Sequence, residues 1–221
     1  MSRSYGQYCG LAQALDVVGD RWNLLIVRQL LIAPARYREL LDGLPGVATN
    51  LLTDRLRDLE TAGVVERRLA EEGNAIVYAL TPWGAELREP IEGLIRWSTP
   101  LMARGPGGDR FQADWLIVGL RALLTGRMAA RQASRVGIAV DGRLLQVRAT
   151  GSGIEVALHD GGDLDAVVRA EASIVLGLAA GALTLDDALG LIEVEGDEVA
   201  VRGLFQEGGR NTAVRDRGPA L

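Results

Sequence analysis

Apolar side chains recur along the first half of this chain at spacings of three and four, the period of helices with one buried face. Leu11, Leu15 and Val18 mark a first helix ending near Gly19, and Trp22, Ile26 and Leu30 mark a second closed by Ala33-Pro34. Tyr37 to Leu44 forms a short third, bounded by Pro45-Gly46. The stretch Val47 to Gly63 is the most informative: Leu52, Leu56 and Leu59 share a stripe, with Leu51 at its edge. Its opposite face carries Asn50, Thr53, Asp54, Arg57 and Thr61, while Gly63 stands where a left-handed glycine ends a helix.

The period then changes. Val64 to Leu69 and Ala75 to Leu80 are β-rich runs around a Gly-Asn loop, the pattern of a hairpin. Thr81-Pro82 opens a long helix with Pro82 at its first position. Trp83, Leu87, Ile91, Leu94, Ile95, Ser98 and Leu101 recur along it, as a core face or as the seam of a two-fold dimer. Three helices, a polar-faced helix, a hairpin and a helix make the order of a winged helix-turn-helix.

On that layout Asn50, Thr53, Asp54 and Arg57 are the candidates to reach base edges in a major groove. Arg36 and Arg38 on the preceding helix, and Arg67 and Arg68 beside the hairpin, are candidates for phosphates. Arg55 lies near the apolar edge of the wheel, where an ion pair with Asp58 or Glu39 competes evenly with a phosphate. Thr49 either reads a base or, with Ala48 before it, caps the helix start. The hairpin tip Ala70-Glu-Glu-Gly-Asn is acidic, which disfavours its entry into a minor groove.

Several segments, in order, resemble the HxlR family of bacterial regulators, relatives of the MarR group. They are Cys9 with Leu15-Asp-Val-Val-Gly-Asp-Arg-Trp22-Asn-Leu-Leu-Ile26, Arg36-Tyr-Arg-Glu-Leu40, Leu52 to Gly63, and Tyr78-Ala-Leu-Thr81-Pro-Trp-Gly84. The resemblance covers residues 5–102 and implies a homodimer on a pseudo-palindromic operator. It also draws attention to Cys9, since some such regulators sense oxidants or electrophiles through an N-terminal cysteine. From its sequence alone Cys9 reads either as a small buried hydrophobe or as a reactive thiol.

Gly105-Pro-Gly-Gly108 interrupts the pattern as a linker. Beyond it Trp115, Leu116, Leu120, Leu123 and Leu124 form a helix. Val136, Ile138 and Val140 alternate, Asp141-Gly142 marks a tight turn, and Leu145, Val147 and Ala149 alternate again. Ile154, Val156 and Leu158 give a third strand and Asp165 to Ala172 a fourth. Ser173 is placed to cap a helix from Ile174 to Ala180, Thr184 to cap another, Ile192 to Asp197 reads as a strand and turn, and Val201, Leu204 and Phe205 lie on a last helix. The run Ala172 to Gly181, with Asp187-Ala-Leu and Glu193-Val-Glu-Gly-Asp197, resembles the closing half of sterol carrier protein type 2 domains. That resemblance covers about residues 111–206 and implies an apolar tunnel. Trp115, Leu116, Leu120, Ile138, Val147, Val156, Ile174, Leu178 and Phe205 are its candidate lining, and equally an ordinary core.

The fold class is therefore α+β: a winged helix-turn-helix domain over 1–104, a linker at 105–110, a sterol-carrier-like antiparallel sheet with helices over 111–206, and a loose Gly- and Arg-rich tail over 207–221. Composition adds limits. All 24 basic residues are arginine and the net charge is −5. Residues 1–104 hold 12 Arg against 13 Asp and Glu, so contact with phosphates depends on local placement rather than a broad positive field. No run approaches the roughly 20 apolar residues of a membrane span, and no secretory leader opens the chain, so the cytoplasm is the expected compartment.

An enzyme is disfavoured. One histidine, His159, and one cysteine, Cys9, fall in different halves and cannot assemble a His/Cys metal site. His159 beside Asp160-Gly-Gly suits a turn facing solvent, and Asp186-Asp187 suits a helix start. Gly151-Ser-Gly and Gly105-Pro-Gly-Gly lack the lysine and context of a phosphate loop, so no cofactor is expected. The expected function is a transcriptional regulator that binds double-stranded DNA as a homodimer and is tuned by a small apolar ligand. Two alternatives stay open: a thiol sensor through Cys9, or a carrier of lipids or other apolar molecules without specific DNA binding.

Overall fold

The computed structural model describes residues 4–71, 73–102, 105, 107–125, 134–150 and 153–205. The tail from Glu207, Glu72 of the hairpin tip, and Pro106 and Ser152 of two glycine-rich stretches lie outside them. The chain divides into two compact units, Met1–Ile91 and Glu92–Leu221.

The first unit holds α1 (Gly10–Val18), α2 (Asn23–Ile32), α3 (Tyr37–Gly43), α4 (Thr49–Thr61), β1 (Val65–Leu69), β2 (Ile76–Leu80) and α5 (Pro82–Ala85). Helix α4 forms because its leucines fall on one stripe: Leu52, Leu56 and Leu59 are at most 1% exposed. Each contributes roughly 1.5–3 kcal/mol of burial. The helix ends at Gly63 with φ +77, where Gly63 N–H reaches Glu60 C=O and Val64 N–H reaches Leu59 C=O. That pair of bonds closes the helix as a Schellman motif.

β1 and β2 pair antiparallel from Val65↔Leu80 to Leu69↔Ile76. Ala35, just before α3, bridges Tyr78 of β2 through both backbone bonds, 3.0 and 2.8 Å. The hairpin is thereby joined to the start of α3. Thr81 caps α5: its hydroxyl donates to Gly63 C=O (2.7 Å) and accepts from Gly84 N–H (3.0 Å). A Cβ on Gly84 would stand 2.0 Å from Val64 O, so only glycine fits there. Thr81-Pro-Trp-Gly84 thus locks the end of the wing to the end of α4.

Two expectations for this half change. The long helix is two: α5, then α6 (Arg88–Met102) after i to i+3 bonds at Glu86 and Leu87. Pro90 explains the break, because it has no N–H for the Glu86 carbonyl but is tolerated in the first turn of α6. The stripe of α1 faces outward, with Leu11 69% exposed and only Ala12 buried. On α6, Ile91 is buried but Leu94, Trp97, Leu101 and Met102 are exposed.

The second unit begins within α6, because from Glu92 onward that helix is tied to α7 (Leu116–Leu124). Glu92 pairs with Arg121 at 3.0 Å, and the Arg96 guanidinium donates to Ala122 C=O at 3.2 Å. A short 3-10 turn, Ala113–Trp115, leads into α7, of which all but Gly119 and Arg121 is buried. The strands are β3 (Arg135–Val140), β4 (Arg143–Thr150), β5 (Gly153–Leu158), β6 (Ala166–Arg169) and β7 (Glu193–Gly196). The helices after β5 are α8 (Ala172–Ala180), α9 (Leu185–Ala188) and α10 (Glu198–Phe205).

Asp141 and Gly142 both take positive φ, as a two-residue type I′ hairpin requires. The sheet order is β5-β4-β3-β6-β7, and β6 runs parallel to β3. The expected antiparallel sheet is therefore mixed. Alternation specifies which face of a strand is buried but not which neighbour it joins or in what sense. The expected cap also shifts: α8 starts at Ala172 after Glu171, because the N–H groups of Ile174 and Val175 already bond Glu171 C=O, leaving Ser173 inside the first turn. Thr184 does cap α9, in a reciprocal box with Asp187. No helix among the described residues is long and apolar enough to cross a membrane.

Candidate nucleic-acid interface

With its leucines inward, α4 turns Asn50, Thr53, Asp54, Arg57 and Thr61 outward, and all five are exposed. Their polar partners lie within α4 itself, apart from Tyr37 of α3 beside Thr53. Arg57 lies 3.6 Å from Asp54 with both side chains open to solvent, an arrangement a duplex can displace at little cost. The Asn50 carbonyl oxygen accepts from Leu51 N–H (2.9 Å), so its amide nitrogen remains to donate. Thr61 returns its hydroxyl to Arg57 C=O (2.8 Å), which directs it along the helix.

Thr49 is the first residue of α4 and not its cap; Ala48 holds that position and offers no side-chain acceptor. The Thr49 carbonyl is engaged by a residue that periodicity alone did not single out. The Tyr37 hydroxyl on α3 donates to Thr49 C=O at 2.7 Å and lies 3.2 Å from Thr53 Oγ1. Only the aromatic inside Arg36-Tyr-Arg-Glu-Leu40 hinted at it.

The arginines divide. Arg36 and Arg38 are exposed at the start of α3, whose first turn is fixed by Glu39 accepting from Arg36 N–H (2.6 Å). Arg55 is committed: it pairs with Asp20 of the α1–α2 turn and, at 3.4 Å, with Asp58, and its side chain is 19% exposed. It ties helices together, as its place on the wheel allowed, but with Asp20 rather than Glu39. A phosphate role for Arg55 is set aside. Arg67 bonds Glu60 at 2.6 Å, and both Arg67 and Arg68 are exposed. As neighbours on β1 they point to opposite faces. Burial, with Glu60 adding, pushes the Tyr78 phenol up.

Cys9 is exposed immediately before α1, not buried. The N–H groups of Ala12 and Leu11 favour its thiolate and hold the thiol below its ordinary range. In the second unit, Leu116, Leu120, Ile138, Val147, Leu178 and Phe205 are buried, and Trp115, Val156 and Ile174 half-buried. They are the interior of the α+β layer. His159 extends the β4–β5 ladder through its N–H to Leu144 C=O (2.9 Å), and its Nδ1 is buried, unlike a residue of an open turn. Asp187 is held below the usual carboxylate range by Thr184, as a helix cap would hold it. Among the described residues no group of three or more His, Cys, Asp or Glu is placed to hold a metal.

Comparison with known proteins adds to this geometry. Residues 17–105 match the model of the HxlR-like helix-turn-helix family. The HTH-type transcriptional regulator YodB of Bacillus subtilis is 32% identical over 89 residues, which span 40% of this chain and 80% of YodB. An uncharacterized HTH-type transcriptional regulator of Synechocystis, sll1512, is 37% identical over 84 residues, 38% of this chain and 62% of that protein. The crystal structure of quinone-bound YodB covers 41% of this chain and 96% of its own, at 29% identity and a TM-score of 0.36. These relatives are transcriptional regulators rather than enzymes. The chain belongs to the HxlR-like helix-turn-helix family.

Proposed function

We infer that this regulator binds a pseudo-palindromic operator as a homodimer, with α4 in the major groove. One observation carries the reading: a helix with Leu52, Leu56 and Leu59 fully inside presents Asn50, Thr53, Asp54 and Arg57 to solvent, flanked by exposed Arg36, Arg38 and Arg68. Phosphate contacts from those arginines would set register and base contacts from α4 would set sequence. The exposed stripe Leu94, Trp97 and Leu101 on α6 and, separately in the first unit, Leu11 with Leu15 on α1 are each apolar surface that a two-fold partner would cover. The second unit takes a small apolar molecule in this reading. Such a ligand controls DNA binding only if it prefers one of two dimer states.

Gel shifts of the full chain against the DNA upstream of its own gene test this. A sequence-dependent shift is expected. Its absence at low salt would leave an apolar-molecule carrier as the better description. Arg57→Ala should weaken operator binding by about 1–3 kcal/mol and random DNA hardly at all, if the guanidinium grips a base edge. Equal loss on both would place Arg57 on phosphate instead. Sedimentation would report the dimer, and native mass spectrometry any retained apolar cargo.

A second reading rests on Cys9, exposed and with its thiol lowered by backbone N–H groups. An oxidant or electrophile that captured this thiolate would alter DNA binding from the start of α1. Cys9→Ser abolishes the response if the thiol is the switch; an unchanged response eliminates it.

A further inference from the structure

We propose that Tyr37 is a specificity-positioning residue: it fixes the hydroxyl of Thr53 so that Thr53 meets the duplex as an acceptor and a methyl group, never as a donor. This rests on the reading of α4 as the base-facing helix and extends it to a residue on α3.

Three oxygens form a closed triangle. Tyr37 Oη is 2.7 Å from Thr49 O, Thr53 Oγ1 is 2.9 Å from the same carbonyl, and the two hydroxyl oxygens are 3.2 Å apart. A carbonyl offers two lone pairs, and each hydroxyl has a single proton. Thr49 C=O already accepts the helical N–H of Thr53, so one lone pair remains for the hydroxyls: one donates to the other and that one to the carbonyl, or both share it. Every such arrangement keeps the Thr53 proton inside the triangle. Thr53 is nevertheless exposed, so what it presents outward is an oxygen lone pair and Cγ2.

In a major groove this polarity is selective. Adenine and cytosine show an exocyclic amine that can donate to Oγ1, and thymine shows a methyl group for Cγ2. Guanine shows only the acceptors O6 and N7, which a fixed acceptor repels. Without Tyr37, Thr53 keeps a single bond to the carbonyl one turn back, which a threonine in a helix can exchange for an outside acceptor. Tyr37 thus removes the choice.

The test is selection of duplexes from a random library by the full-length protein, followed by binding measurements on single-base variants. The base pair under Thr53 is the one whose preference changes in Thr53→Val. Wild type should disfavour guanine there. Tyr37→Phe, which deletes one oxygen, should relieve that discrimination by roughly two- to tenfold, about one hydrogen bond, with other positions unmoved. In a Thr53→Val background Tyr37→Phe should change nothing further. Thr53→Ser, which keeps the triangle, should keep the discrimination. Equal loss of affinity on all sequences in Tyr37→Phe, persistence of its effect in Thr53→Val, or lost discrimination in Thr53→Ser would overturn the proposal while leaving base reading by α4 intact. If wild type enriches no sequence at all, base reading by α4 falls first and this role for Tyr37 with it.

Discussion

Helices α4 and α7 bury leucines with equal thoroughness, yet they differ in what remains outside. Leu52, Leu56 and Leu59 occupy one stripe of α4, and the opposite face, Asn50, Thr53, Asp54, Arg57 and Thr61, is polar and exposed. In α7 seven of nine residues are buried, leaving Gly119 and Arg121. The first unit therefore keeps its chemistry outside, where each side chain can be judged by type and exposure. Around α7 the second keeps apolar side chains inside, where a ligand's wall and a structural core use the same residues.

The sharpest way to break this contrast is to shorten a residue of the second interior. Leu120 is fully buried on α7. If it is packed core, Leu120→Ala should cost about 2–5 kcal/mol of stability in calorimetry. A loss below about 1 kcal/mol would mean that Leu120 borders open space, and apolar-ligand binding would gain support.

The same contrast explains how far the sequence could be read. Elements of the first half were legible because turn chemistry agreed with period: Gly63 ends α4 and Thr81-Pro82 opens α5. Pro90 carried the break between α5 and α6, but the apolar spacing runs across it from Leu87 to Ile91. The parallel pairing of β6 with β3 was not legible, since nothing in a strand's alternation encodes its partner. At the candidate site the outward set on α4 followed from the wheel alone. Asp20 as the partner of Arg55, 35 residues away, and Tyr37 beneath Thr53 needed tertiary structure. Local spacing reports which face a residue is on, and long-range pairing reports whether it is free.

Arg55 and Arg68 sharpen that distinction with a smaller effect. Both are near the proposed duplex, but Arg55 is held by Asp20 and Asp58 whereas Arg68 is exposed on β1. Arg55→Ala should lower stability by about 1 kcal/mol, the scale of a partly exposed ion pair. It should leave the salt dependence of DNA binding unchanged. Arg68→Ala should show the reverse: stability within about 0.5 kcal/mol, and a log–log salt slope reduced by about one phosphate contact. A reduced slope in Arg55→Ala would show that its ion pairs open on DNA.

The mildest test concerns Cys9 and is read in pH. Backbone N–H groups of Ala12 and Leu11 stabilise the thiolate, so its folded pKa lies below that of the unfolded chain. The native state then releases its proton first as pH rises, and this contribution to stability is present above the unfolded pKa. It is lost as pH falls through the lowered folded value. Rates of alkylation by a neutral reagent should reach their half-maximum at lower pH in the native protein than in the same chain unfolded in urea. Thiolate fraction, not access, makes the difference, because Cys9 is exposed in the fold as well. A native midpoint equal to the unfolded one would show that the start of α1 does nothing for this thiol and would remove the chemical basis of a Cys9 switch. A lower midpoint would place a reactive group on the outside of the first unit.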